Sequence, residues 1–299
     1  MAMDKNEARR KKDRFATAGL LVLFTILAVL IILPIYAIFL ASFKPGGHLL
    51  QYGLNLDLDF SVMNLDNYVL LFTGSHDYWT WFTNSIILTV ITVVLTLLIS
   101  AFVAYGFAAY EFKGRQVLFV IVLIILSIPL EVVMLPLYKQ ISSWGMMDNY
   151  GAIVLPFLAH ASTIFFFRQY LLGLPKSLIE AGRIDGATEY GIFFKLIIPI
   201  MKPAFAAMAI LNGMNAWNNY LWPLLVIRSS EKYTLTLGLN TLINPYGDNY
   251  SLLVVGSFFS IVPIFILFVC FQKYFIEGMT AGAVKAVSYT HLDVYKRQK

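Results

Sequence analysis

Five uncharged stretches divide this chain of 299 residues, at positions 15–43, 78–110, 149–167, 203–227 and 249–272. They hold 29, 33, 19, 25 and 24 residues. A sixth apolar stretch, 116–137, is interrupted only by Glu131. About 20 apolar residues suffice for a helix to cross hydrocarbon, so each stretch can cross once. The second is rich in β-branched residues, yet an isolated strand would leave its backbone groups unsatisfied in lipid, and helix is expected throughout. The expected fold is all-α: a polytopic membrane protein with six transmembrane helices at about 16–41, 82–110, 116–138, 150–172, 203–227 and 251–274. Pro34, Pro129, Pro136, Pro156, Pro223 and Pro263 fall inside these spans, where proline predicts kinks. No internal repeat marks two inverted halves.

Composition agrees with the pattern. The chain is 59% hydrophobic and 13% charged, where a soluble domain carries about a quarter charged. The net charge of +5 raises nucleic acid as a partner, but the placement of the cations answers it. Lys5, Arg9, Arg10, Lys11, Lys12 and Arg14 precede the first span, forming a basic segment 1–14. Lys113 and Arg115 lie between spans two and three, and Arg168, Lys176, Arg183, Lys195 and Lys202 surround the connection between spans four and five. The alternate loops hold only Lys44, Lys139, Arg228 and Lys232. Positive residues favour the cytoplasmic side, so both termini are expected in the cytoplasm of a bacterial cell (inner or plasma) membrane, with no nucleic-acid partner. The first apolar run is longer than the h-region of a cleaved signal and lacks a small-residue cleavage pattern. Cys270 is the only cysteine and forms no internal disulfide.

The first external loop, 42–80, is polar, with Asp57, Asp59, Asp66 and Asp77; Tyr78, Trp79, Trp81 and Phe82 mark the return to the bilayer interface. Residues 15–285 form the expected permease domain. The closing segment 286–299 reads as a non-native tail, an artefact of cloning or assembly.

The most informative segment is the polar connection 175–202, SLIEAGRIDGATEYGIFFKLIIPIMK after Pro175-Lys176. Ser177 and Glu180 have the spacing of a capping box, which starts a helix near Leu178. Glu180 near the helix N-terminus complements its dipole. Ala181, Gly182 and Ala187 are small and admit close approach of another surface. Gly186, after Asp185, supplies the bend before a second helix, which returns through Ile198 and Pro199. An amphipathic helix lying on the headgroups would share the capping pattern. The joint spacing Glu180-Ala181-Gly182, Asp185-Gly186-Ala187 and Pro199, on the basic side, favours a docking loop instead.

These residues, in the pattern E-A-G-x3-G-x9-L-x-I-P, resemble the coupling loop of permease subunits in ATP-binding-cassette (ABC) importers. The resemblance is to the carbohydrate-uptake class, and within it to subunits similar to the smaller maltose-transporter permease. It extends over nearly the whole chain, including Asn215-Ala216-Trp217-Asn218-Asn219-Tyr220-Leu221-Trp222-Pro223-Leu224 and the ending 278–285. Gly182 stands where the family usually has a second alanine, Leu196 where it has isoleucine, and Ile198 where it has leucine; the glycine is expected to loosen the helix. The resemblance implies a homologous second permease, two ABC ATPase subunits and an extracytoplasmic solute-binding protein as partners, and a sugar as substrate. It implies that the loop seats in the ATPase and passes on its closure, giving alternating access. ATP and magnesium would then belong to the ATPase, with no cofactor in this chain.

In span five, Asn212, Asn215 and Asn219 are three and four residues apart and share a helical face, with Asn218, Trp217 and Trp222 near them. Amides and an aromatic suit a sugar in a translocation path; the same asparagines also serve as hydrogen bonds between helices. Glu131 at membrane depth would face a cavity or partner, and its nearness to Lys139 favours the outer interface. His48, His76, His160 and His291 are scattered and form no metal constellation. No phosphate-binding G-x-x-x-x-G-K-[ST] loop occurs, so hydrolysis belongs to another polypeptide. Three rivals remain: an ion-coupled secondary carrier, a membrane-embedded enzyme, and an ABC permease for glycerol phosphate or another polyol.

Overall fold

The computed structural model describes residues 2–74, 77–243 and 250–280, with backbone alone for 2–14, 16 and 274–280. The tail 286–299, His76 and His291 lie outside the described residues. Among the described residues every regular element is a helix. Three helices are long and apolar enough to cross a membrane: α1 (Ala2–Ala41) through its part Thr17–Ala41, α4 (Tyr78–Ala109), and α15 (Tyr250–Thr280) through Tyr250–Lys273. Three bent pairs bring the number to six if each is one span.

Two of the bends fall beside Pro129 and Pro156, where kinks are expected, and the third pair joins Glu189–Ile200 to Lys202–Trp217 at 76°. The third stretch breaks at Ser127–Pro129 into α5 (Arg115–Leu126) and α6 (Leu130–Ser143), which meet at 103°. Proline at the N-terminal boundary of α6 offers no amide to continue the ladder and drives the preceding residue out of helical geometry. The fourth is bent by 40° between Tyr150–Phe157, which begins with α7 (Tyr150–Val154), and α8 (Ala161–Leu172). The fifth, expected over 203–227, ends its main helix α12 (Lys202–Trp217) early; Asn218, Asn219 and Tyr220 interrupt it before the short α13 (Leu221–Val226). At the end of α12 the Met214 carbonyl accepts from both the Asn218 amide (3.1 Å) and Asn218 Nδ2 (2.9 Å). The proline inside α1, Pro34, and the one inside α15, Pro263, leave their helices unbroken.

The chain divides into two compact units, residues 1–76 with 239–261, and residues 77–238 with 262–299. In the first, α2 (Gly46–Tyr52) and α3 (Asp66–Thr73) organise the loop after α1. Lys44 is fully buried; its ammonium donates to the Asn55 side chain and to the Asp57 carbonyl at 2.8 Å. Asn67 ties the same turn down by donating to the carbonyls of Ser42 (2.9 Å) and Lys44 (2.8 Å). A buried charge is tolerable only with such partners.

In the second unit, α4 is the central post. Its residues Val93, Leu97, Ala101, Ala104 and Tyr105 pack with Phe167 and Leu171 of α8 and with Ala204, Met208 and Ala209 of α12. Alanines on the facing sides let these backbones approach, the usual basis of helix association where lipid removes the hydrophobic drive. A second cluster gathers Leu88, Ile141, Ala152 and Ile153 around the buried Trp222, whose indole N–H donates to the Ala152 carbonyl at 2.8 Å. Asp148, held at φ 58°, clasps the neighbouring loop: its carboxylate accepts from the amides of Arg228 and Ser229 (2.9 and 3.0 Å), the Ser229 hydroxyl (2.6 Å) and Lys232 Nζ (2.9 Å). These donors hold its carboxyl well below the usual carboxylate range.

Gly238 in α14 (Leu235–Thr241) lies flat against the Trp81 ring, where any Cβ would overlap the indole. Trp81 cannot retreat freely, because its N–H is bound to the Ser230 carbonyl at 2.8 Å. Gly238→Ala is therefore expected to destabilise the fold by about 1–3 kcal/mol through overpacking. A lowered unfolding midpoint of the detergent-solubilised protein would check this; an unchanged midpoint would contradict the contact.

Candidate functional site

The connection after α8 folds as a hook. Helix α9 (Ser177–Ile184) is followed by a sharp bend, then α10 (Glu189–Ile192), a π-turn over Phe193–Ile197, and α11 (Ile198–Ile200), which leads into α12. The expected capping box does not form. Lys176 already has helical angles, Ser177 is the first residue of α9, and no side chain caps the start. Instead the amides of Leu178, Ile179 and Glu180 bond back to the carbonyls of Pro175 and Lys176, because the proline has turned the chain one residue earlier. Glu180 stays in the first turn, where its charge suits the dipole, and is exposed.

The bend is a glycine-terminated helix end. Gly186 has φ 73°; its amide donates to the Arg183 carbonyl at 3.1 Å and the Ala187 amide to the Gly182 carbonyl at 3.0 Å. This pair of bonds is the Schellman arrangement, which asks for a residue without Cβ at that position. Thr188 then caps α10 by accepting from the Gly191 amide at 3.1 Å. A Cβ at Gly182 would come to 3.0 Å from Ile192, so the glycine lets that side chain approach α9 closely.

Ile192, Phe193, Ile197 and Met201 are buried among α4, α8 and α12. Phe193 stacks on Phe102 at 4.3 Å and meets Tyr105 at 5.3 Å. Glu189 closes the hook. One carboxylate oxygen accepts from Arg183 Nε at 2.7 Å; the other accepts from the hydroxyls of Tyr110 (2.6 Å) and Tyr105 (3.2 Å). Arg183, then the tyrosine hydroxyls, hold this carboxyl down at about 2. Both charged side chains are about two-fifths exposed, so the ion pair alone is worth at most ~1 kcal/mol.

Ser177, Glu180, Ala181, Asp185, Gly186, Ala187 and Pro199 are exposed, and Gly182 is half-buried against Ile192. Two residues outside the sequence expectation stand with them: Ile184, 86% exposed, and Tyr190, 73% exposed. The signal available for Ile184 is an apolar residue between Arg183 and Asp185 on an otherwise polar turn.

The span-five asparagines separate. Asn212, Asn215 and Asn219 line a cavity of about 330 Å³ with Ser85, Thr96 and His160, although Asn219 lies past the end of α12 rather than on its face. Asn212 is already engaged: its Nδ2 donates to Thr163 Oγ1 (3.1 Å) and to the Met208 carbonyl (2.8 Å). Trp217 and Asn218 do not line the cavity. Trp217 is buried edge-on against Phe82 at 5.8 Å, and Asn218 is exposed. Glu131 is exposed in the first turn of α6. His160 Nδ1 lies 2.9 Å from Ser162 Oγ, and among the described residues no three potential ligands gather for a metal.

Residues 97–281, which contain the hook and the cavity's α12 wall, match the family described as binding-protein-dependent transport system inner membrane component. This chain belongs to that family: it is a permease subunit of the carbohydrate-uptake class of ABC importers, a membrane component without catalysis of its own. It is 52% identical to the arabinooligosaccharides transport system permease protein AraQ of Bacillus subtilis (strain 168), over 89% of this chain and 95% of that protein. Identity to the protein of the same name from Halalkalibacterium halodurans is 49%, over 93% and 99%. A chain in the crystal structure of a bacterial ABC transporter involved in the import of the acidic polysaccharide alginate superposes with a TM-score of 0.77 at 27% identity, over 88% of this chain and 98% of that one.

Two variants test the hook. Gly186→Val forces a β-branched residue into a left-handed backbone at a cost of about 1–2 kcal/mol, and Thr188→Ala removes a cap worth about 1 kcal/mol. Both are expected to speed proteolysis within 177–192 while cleavage elsewhere stays constant. Because the Glu189 carboxyl is depressed, its contribution is complete above the ordinary carboxylate pKa of 4.5 and lost as pH falls towards about 2. Protection of the hook should therefore be flat between about pH 8 and pH 5.

Proposed function

We propose that the hook at 175–202 is the surface on which an ABC ATPase subunit acts, in an assembly of two such subunits with this chain and a homologous second permease that admits neutral oligosaccharides. Oligosaccharides of arabinose fit best as cargo, delivered by an extracytoplasmic solute-binding protein. ATP and magnesium stay with the ATPase, and both termini face the cytoplasm, the side to which the cation distribution assigns the hook. The observation that carries this reading is the exposure of Ile184 on α9 and of Tyr190 on α10, in a hook whose returning limb is anchored in the core. Large apolar side chains at such exposure on a built turn need a cover, and a helix laid into a groove supplies one.

The second permease is supported by α1. The most apolar window of Thr17–Ala41 buries none of its residues within this chain, although a span of that length has a whole circumference to cover. Lipid covers part of it and a partner helix the rest. The cargo is supported by the cavity of Asn212, Asn215 and Asn219, whose lining includes no carboxylate, lysine or arginine. Amides exchange hydrogen bonds with hydroxyls in both directions, whereas glycerol phosphate would call for cations.

The double variant Ile184→Asp/Tyr190→Ala is expected to reduce ATPase recovered with the purified permease by about tenfold or more, the usual scale for losing buried anchors. Membrane insertion of the variant should remain normal. Full recovery of the ATPase would sink the docking reading. Uptake by proteoliposomes that contain no ATPase subunit would instead point to a carrier.

A further inference from the structure

Glu189 joins three segments that the chain keeps apart. It lies past the Gly186 bend on α10, yet one oxygen holds Arg183 of α9 and the other holds Tyr110 and Tyr105 at the end of α4. The Arg183 guanidinium also sits 5.8 Å from the Tyr110 ring centre. Thus the helix that presents Ile184 outward is tied by charge-assisted hydrogen bonds to the 32-residue post of the unit. Such bonds are short, directional and about twice as strong as neutral ones. Beneath them the buried Ile192 and Phe193 anchor the returning limb, and Glu189 adds the polar tie between α9 and the end of α4.

The far part of α4 carries Ser85, Leu88, Thr92 and Thr96, which line the amide cavity. From Tyr105 to Ser85 is 20 residues of unbroken helix, roughly 30 Å. A displacement of α9 that cannot slip at Glu189 therefore moves the cavity wall along with the α4 end. We propose that Glu189 is a positioning residue for transport, gripping Arg183 and Tyr110 so that movement of α9 is handed to α4 and so to the cavity. The clamp rests on the docking of the hook, and adds how motion is transmitted once the ATPase is in place.

The test uses the complete reconstituted transporter and reads sugar moved per ATP hydrolysed, together with the ATPase retained on the permease. Glu189→Gln keeps an oxygen for Tyr110 and loses the charge facing Arg183; Tyr110→Phe removes only the hydroxyl. Glu189→Gln should retain the ATPase within about twofold while transport per ATP falls by about fivefold, the scale of a half-exposed ion pair. Tyr110→Phe should lower the ratio by about threefold. The exchange Arg183→Glu with Glu189→Arg should recover part of the ratio lost in Arg183→Glu alone. A purely structural clamp would lose ATPase retention and transport together, which overturns the proposal. If Glu189→Gln fails to assemble, Tyr110→Phe decides, and an unchanged ratio there also overturns it. The docking reading fails by a different route, through an intact ATPase contact in the Ile184/Tyr190 variant.

Discussion

The burial of Ile192, Phe193, Ile197 and Met201 against α4, α8 and α12 is the contact on which the rest of the hook depends. A polar connection of this length has no reason to hold one conformation in water. It does so here because its returning limb is part of the core, with Phe193 stacked on Phe102 and wedged at Tyr105. Once that limb is fixed, Gly182 must lie over Ile192, Gly186 must turn left-handed, and α9 can present only one face outward. Exposed tip and buried core belong to the same short piece of chain.

Some of this is legible in the amino-acid sequence. Gly186 stands out because a polar helix has to end before the apolar return, and only glycine closes such an end without strain. Six apolar stretches indicate six crossings because hydrocarbon leaves a single chain few alternatives. The capping box misleads for a physical reason: Ser177 and Glu180 match its spacing, but Pro175 has already set the turn, and spacing does not record where a helix begins. Gly182 resembles a weakness since its complement, Ile192, lies across a bend that spacing does not resolve. Tyr190 and Ile184 escape the pattern because exposure of an apolar side chain is decided by which face the core claims. Asn219 leaves the helical face of Asn212 and Asn215 because α12 stops at Trp217, at the point where the Asn218 side chain bonds back to the Met214 carbonyl.

The cavity and the hook are built on different chemistry. Asn212 and Thr163 satisfy each other between α12 and α8, so one residue of the amide row is structural even while it contributes to the wall. Asn215 and Asn219 also line the space. The hook relies on charge at its hinge and on shape and apolar cover at its tip. Helix α4 belongs to both, walling the cavity with Ser85, Thr92 and Thr96 and holding Glu189 of the hook through Tyr105.

The elbow at Pro129 has a consequence for hydration. Neither α5, with 12 residues, nor α6, with 14, reaches across a bilayer core of about 30 Å, since they measure roughly 18 and 21 Å. The opening turn of α6 presents amide donors with no helical acceptors, and Glu131 is among them. At membrane depth such a break is tolerated only where it is buried in protein or lines a cavity, and Leu130 at the elbow lines the amide cavity.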